Sequence, residues 1–146
     1  MIRPGVFADF PEITRIRTAV TENHLSVEQM AEMGITHESI AAEMRAGHLS
    51  CWVATEGDVI TGFSMADRRD ASIFALFMDA AHEGKGHGTA LLAACEDWLR
   101  QHGHVEARLA TERGSRAFRF YLRRGWQDAG NTAGHFAEDA LLVKAL

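Results

Sequence analysis

The chain of 146 residues predicts an α/β fold, in which a mixed, mostly antiparallel sheet with one parallel strand pair is flanked by helices. Three observations carry that prediction. Apolar residues recur at three-and-four spacing in the first fifty positions, which is the period of amphipathic helices. Two short runs then alternate around the tight turn Glu56-Gly57-Asp58, as antiparallel strands do. Finally, the apolar run IFALFM leads through a turn with three alternating glycines into an amphipathic helix and a further strand. A strand, helix, strand order of that kind makes a right-handed parallel crossover.

Taken in order, residues 2–4 predict a short strand. Asp9, Pro11 and Glu12 then read as a cap, a first-turn proline and a reciprocating carboxylate, so a helix is expected to about His24. Ile13, Ile16, Arg17 and Val20 give that helix a mostly apolar face. Residues 25–35 have no clean period and form a candidate rim for an acceptor site. A second helix is predicted over 36–46, capped by Thr36, with Ser39 in its first turn and Gly47 at its end. CWVAT and ITGFSMAD form the antiparallel pair. Residues 72–78 follow as a central strand, whose run IFALFM is apolar at every position as if covered on both faces. The helix after the glycines runs to about His102, and Gly103 stops it. VEARLAT is a strand, Ser115 caps a short helix packed through Ala117, Phe118, Tyr121 and Leu122, and Gly125 ends it. Residues 126–128 and 137–146 close the sheet around the loop GNTAGHF.

Composition narrows the function. With 47% apolar and 24% charged residues, and no linker or repeat, residues 1–146 are expected to form a single domain with its own core. The net charge of -5 argues against nucleic acid as a partner and makes small cations the easier ligands. No apolar run is long enough to cross a bilayer, and MIRPGVFADF lacks the pattern of a secretion signal, so no membrane association and a cytoplasmic location are expected. Cys51 and Cys95 sit among apolar residues as buried thiols. Neither they nor the 8 scattered His have the spacing of metal ligands, so no metal is expected.

The chemistry is expected in the turn HEGKGHGT. Gly84, Gly86 and Gly88 allow close approach of the backbone and dihedrals forbidden to other side chains. The turn opens a helix, whose unpaired N–H groups and dipole favour an anion such as phosphate. It is neither a Walker A loop, since Lys85 precedes Gly86 rather than Ser or Thr, nor the dinucleotide fingerprint, since its glycines fall on every second residue. Lys85 and His87 lie within it. Arg113, Arg116, Arg119, Arg123 and Arg124 crowd the later helix of an otherwise acidic chain.

These segments resemble the GCN5-related N-acetyltransferase (GNAT) superfamily. The pyrophosphate loop of that family, Arg or Gln, two residues, Gly, one residue, Gly or Ala, falls on Glu83, Gly86 and Gly88. Its first position departs from the pattern, so Glu83 must face solvent or pair locally. AFRFYLRRGW is similar to a second family segment, with Ala117, Phe120, Tyr121, Gly125 and Trp126 in register and Gly114 where Asn is frequent. The likeness runs from Leu49 onward and loosely includes the first two helices.

The resemblance implies a three-layer fold whose parallel strands splay to admit acetyl-CoA as cosubstrate, and direct acetyl transfer to a primary amine of a small molecule or peptide through a tetrahedral intermediate. It implies that Gly84, Lys85, Gly86, His87, Gly88 and Thr89 hold the pyrophosphate, that Phe77 and Met78 pair with the pantetheine, and that Phe118 and Tyr121 flank the cofactor. A backbone amide near Phe77 or Met78 polarises the thioester carbonyl. Tyr121, the only tyrosine of the chain, is the candidate general acid for the departing thiolate. An amine of pKa near 10.4 is neutral in roughly 1 molecule in 2,500 at pH 7, so a base is needed unless the acceptor is already neutral. IFALFM holds no carboxylate, which leaves Asp67, Asp79, His82, Glu28 or a water relay. Trp52, Phe63, Met65 and Phe77 are candidates for an apolar acceptor cleft. A homodimer through a free sheet edge is compatible with this reading, and a domain that binds acyl-CoA as a sensor or in assembly without catalysis is the alternative to it.

Overall fold

A computed structural model describes residues 1–20, 25–132 and 139–146. Seven strands form one sheet in the order β1-β2-β3-β4-β5-β7-β6: β1 (Ile2–Pro4), β2 (Leu49–Glu56), β3 (Val59–Asp67), β4 (Ser72–Met78), β5 (Glu106–Thr111), β6 (Gln127–Asn131) and β7 (Ala140–Ala145). Every neighbouring pair is antiparallel except β4 and β5. The predicted closing strand therefore starts at Ala140. Its expected beginning at Ala137, and most of the loop GNTAGHF, lie outside the described residues.

Helices cover both faces. α1 (Phe10–Ala19) and α3 (His37–Arg45) pack Phe10, Ile13, Ile16 and Ala41 against Cys51, Val53, Phe63 and Met65. On the other face α4 (His87–Gln101) and α5 (Arg116–Arg123) bring Leu92, Cys95, Leu99 and Tyr121 onto Ala66, Ile73, Leu109 and Leu142. Alternation along β3 separates the layers, because Phe63 and Met65 point to α1 while Ser64 donates its hydroxyl to the Leu91 carbonyl of α4 at 3.1 Å.

The N-terminal helix departs from expectation at both ends. Asp9 does not cap α1. Its carboxylate accepts from the Val6 N–H at 2.8 Å and from Arg3, and closes a short 3-10 turn over Phe7–Asp9 instead. Glu12 bonds Arg15, at 2.9 Å, rather than the cap. α1 stops at Ala19 because Val20 is extended, with ψ of 149°; the predicted continuation through residues 21–24 falls outside the described residues. The segment read as irregular contains α2 (Val27–Glu32), with Ser26 and Gln29 capping each other at 3.0 and 2.8 Å. α3 matches its prediction, with Thr36 and Ser39 exchanging the same bonds.

One irregularity shapes the site. Ala66 pairs with Ile73 while Met65 pairs with Ala75, so Phe74 is an extra residue in β4, a β-bulge. The parallel partner β5 pairs with β4 only at Ser72 and Arg108, and the Arg108 N–H reaches the Ala71 carbonyl at 2.9 Å. Beyond that point the strands part. The apolar run in β4 is thus not sealed on both faces: Ile73 is buried, Phe74 is exposed and residues 75–78 are half-buried, because they border a cavity.

Candidate active site

The cavity, of about 1730 Å³, occupies the gap between the parted strands and extends from the start of α4 to the inner face of α1. Its edge on β4 is backbone. Asp79 donates its N–H to the Thr61 carbonyl at 2.8 Å, and Phe77 pairs with Phe63 two residues earlier. Alternation then turns the N–H groups of Leu76 and Met78 away from β3, toward the gap. Of the two residues expected to meet a pantetheine arm, Met78 presents its amide to the cavity, while Phe77 presents its ring. Gly62 makes room for this edge. A Cβ there would collide with the Met78 sulfur and stand 2.9 Å from the Phe77 carbonyl oxygen.

At the end of β4 the chain enters the glycine turn. Gly84 and Gly86 have φ of +80° and +83°, which glycine alone adopts without strain. Gly88 differs from the expectation, because it lies within the first turn of α4 at an ordinary helical dihedral, where an added Cβ would be 3.5 Å from the Phe120 ring. No side chain caps α4. Among the described residues, the amides of Gly86, His87, Gly88 and Thr89 donate no hydrogen bond. Four N–H groups at the positive end of a helix of 15 residues therefore face the cavity mouth without an acceptor.

Side chains around this turn set its charge. Arg124 donates from Nε to the Thr89 hydroxyl at 2.9 Å and stacks 3.7 Å from the centre of the Phe120 ring, which fixes a guanidinium beside the helix start. Glu83 is paired with Arg116 at 2.9 Å, so its negative charge is locally neutralised. Lys85 turns away to Glu56, at 3.1 Å, and does not border the cavity. His87 does border it, and its Nδ1 shares a proton contact of 2.9 Å with the Thr61 hydroxyl.

Tyr121 lies on α5 with its ring edge-on to Phe120 and Trp126, at 5.3 and 6.0 Å. Only 6% of the residue is exposed, and it belongs both to the core and to the cavity lining. Among the described residues its hydroxyl makes no hydrogen bond, and burial pushes the phenol pKa well above its ordinary value. The group is therefore protonated throughout the neutral range. Phe118, one turn earlier, faces the core with Arg113 over its ring, and does not reach the cavity. Phe120 on α5 and Arg124, just past its end, border the cavity instead.

The far half of the cavity is lined by α1, α2 and the other face of β4. Phe63, Met65 and Phe77 line it as expected, whereas Trp52 packs into the opposite core. Asp79 and His82 lie on the wall, 3.8 Å apart. Asp79 accepts from the Ala81 N–H and from Arg15, which hold its carboxyl below the usual range. Asp67 is bound to Arg69 at the other end of β3 and Glu28 is exposed on α2, so neither borders the cavity. Arg17 lies over the Phe77 ring, 4.1 Å from its centre.

The sequence profile of the acetyltransferase (GNAT) family matches residues 11–126. No curated protein matches the chain. Among solved structures, the chain is similar to the PaiA N-acetyltransferase of Thermoplasma acidophilum in complex with coenzyme A. That match has 18% identity and a TM-score of 0.80, covering 100% of this chain and 98% of the other. It is similar to a ribosomal-protein-alanine N-acetyltransferase of Brucella melitensis (20% identity, TM-score 0.77, 100% and 99% covered). A third neighbour is YncA of Salmonella typhimurium, a putative acetyltransferase with its cofactor acetyl-CoA (22% identity, TM-score 0.70, 100% and 93% covered). These likenesses extend the shared fold over the whole chain.

Proposed function

The chain belongs to the acetyltransferase (GNAT) family, and on that premise we propose that it transfers the acetyl group of acetyl-CoA directly to a primary amine of a small molecule or peptide. The observation that carries this reading is the row of unbonded amides at residues 86–89, beside Arg124 and at the open end of the gap between β4 and β5. Those amides and the guanidinium bind the pyrophosphate. The free edge of β4 takes the pantetheine as an added strand, and the Met78 N–H polarises the thioester carbonyl where negative charge develops. Tyr121, kept protonated by burial, donates its proton to the departing sulfur. His82, 3.8 Å from the Asp79 carboxylate on the cavity wall, receives the amine proton through water.

Calorimetric titration with acetyl-CoA, combined with a thiol-release screen over amines, tests the reading. Acetyl-CoA is expected to bind at one site per chain and at least one class of amine to release CoA. Binding without release across the whole screen would point to an acyl-CoA-binding module instead. Absence of binding would overturn the cofactor site altogether.

A further inference from the structure

Arg17 projects from α1 into the far half of the cavity, on the face of β4 opposite α4. Its Nη1 is shut off from solvent and meets no hydrogen-bond acceptor, and among the described residues it has no ion-pair partner. Nearby wall carboxylates are already engaged, Asp79 by Arg15 at 3.2 Å and Glu83 by Arg116 at 2.9 Å. Stacking on Phe77 offsets part of the desolvation but fills none of the guanidinium's in-plane donor positions. Burial lowers the Arg17 pKa to about 10, which still leaves it charged at neutral pH. The other guanidinium nitrogens, Nε and Nη2, are not sealed off in this way and also make no hydrogen bond among the described residues, so one planar donor edge is open to the two oxygens of a carboxylate.

Position connects this arginine to the reaction. Phe77, which carries the stacked guanidinium, is adjacent to Met78, whose amide faces the gap. Ile13, Ile16, Phe63 and Met65 surround the site with apolar surface, which keeps the local dielectric low and strengthens an ion pair. The charge there is opposite in sign to the net -5 of the chain, so the bulk preference for cations does not extend to this wall.

We propose that the acceptor is an amine that also carries a carboxylate, of the amino-acid type, and that Arg17 binds this carboxylate while the amine faces the thioester. The proposal deepens the acetyl-transfer reading and rests on it. The test titrates L-methionine, L-leucine and L-phenylalanine, each against its own amide, into protein saturated with coenzyme A. At least one acid is expected to bind about tenfold or more tightly than its amide, as a charge-assisted bidentate contact does. Arg17→Met, which keeps the apolar stem on Phe77, should abolish that difference, and Arg17→Lys should restore part of it. In the thiol-release assay Arg17→Met should raise KM for the acid and leave that for the amide unchanged. Acids and amides binding alike, no acid of the panel binding, or an Arg17→Met protein that retains the preference would overturn the assignment. Failure to bind coenzyme A would sink the transfer reading instead, and the acid and amide titrations are then judged by the same criterion on the cofactor-free protein.

Discussion

At the scale of single residues, the proposed stabilisation of the leaving thiolate and of the carbonyl oxygen falls to one phenol and one amide, and each has a distinguishing substitution. Tyr121→Phe should lower kcat at least about tenfold, the ordinary worth of a general acid, with acetyl-CoA affinity nearly unchanged. Single-turnover kinetics at the level of the native protein would remove Tyr121 from the reaction. Gly62→Ala places a methyl against the Phe77 carbonyl at 2.9 Å, so the edge of β4 that carries Met78 must shift. A loss of roughly 1–3 kcal/mol in denaturant unfolding, with a lower kcat, is expected from such overpacking. Unchanged stability would show that β4 yields freely there. The glycine turn is legible in the sequence through its local spacing, and Tyr121 through the resemblance of AFRFYLRRGW to a family segment. Arg17 and Thr61 are not, since their roles come from contacts with Phe77 and His87, 60 and 26 positions away, and of the five clustered arginines only the contact of Arg124 with Thr89, 35 positions away, picks out the one beside the helix start.

At the scale of elements, the start of α4 couples conformation to binding. Gly86 holds φ of +83°, so Gly86→Ala should cost about 1–2 kcal/mol and weaken acetyl-CoA binding together. Gly88→Ala separates the two effects. The residue is helical, and alanine there should stabilise α4 by about 1 kcal/mol while its methyl narrows the cavity mouth and weakens binding. Parallel melting and titration experiments check the pair; equal binding by Gly88→Ala would place the ligand elsewhere. Element types were legible through periodicity, and most boundaries through Thr36, Ser115, Gly47, Gly103 and Gly125. Two features were hidden. The Ser26 and Gln29 capping pair signals α2 without any apolar period behind it, and the bulge at Phe74 arises from pairing with β3 that no local pattern contains.

At the scale of the whole molecule, the parted sheet must be held together elsewhere than through β4 and β5. Glu96 of α4 does part of this, accepting from the Trp126 indole at 3.1 Å and from Lys144 of β7 at 3.0 Å. Glu96→Ala leaves a half-buried ammonium and an indole N–H unpaired, and a loss of about 2–4 kcal/mol in thermal or denaturant unfolding is expected. Acid stability has a second contributor at the N-terminus. Hydrogen bonds from Arg3 hold the Asp9 carboxyl below its unfolded value, so its contribution is complete above the ordinary carboxylate range and fades as pH falls through the lowered value. Asp9→Asn should therefore reduce stability at pH 7 and flatten the loss below about pH 4. A mutant whose acid limb is as steep as that of the native protein would assign the acid sensitivity elsewhere.

A crystal structure of the complex with acetyl-CoA tests the central claim most directly. Pyrophosphate oxygens are expected within hydrogen-bonding distance of the amides at residues 86–89, with the thioester carbonyl on the Met78 N–H and the sulfur near the Tyr121 hydroxyl. A cofactor bound away from the gap between β4 and β5, or one whose diphosphate leaves those amides unbonded, would contradict it.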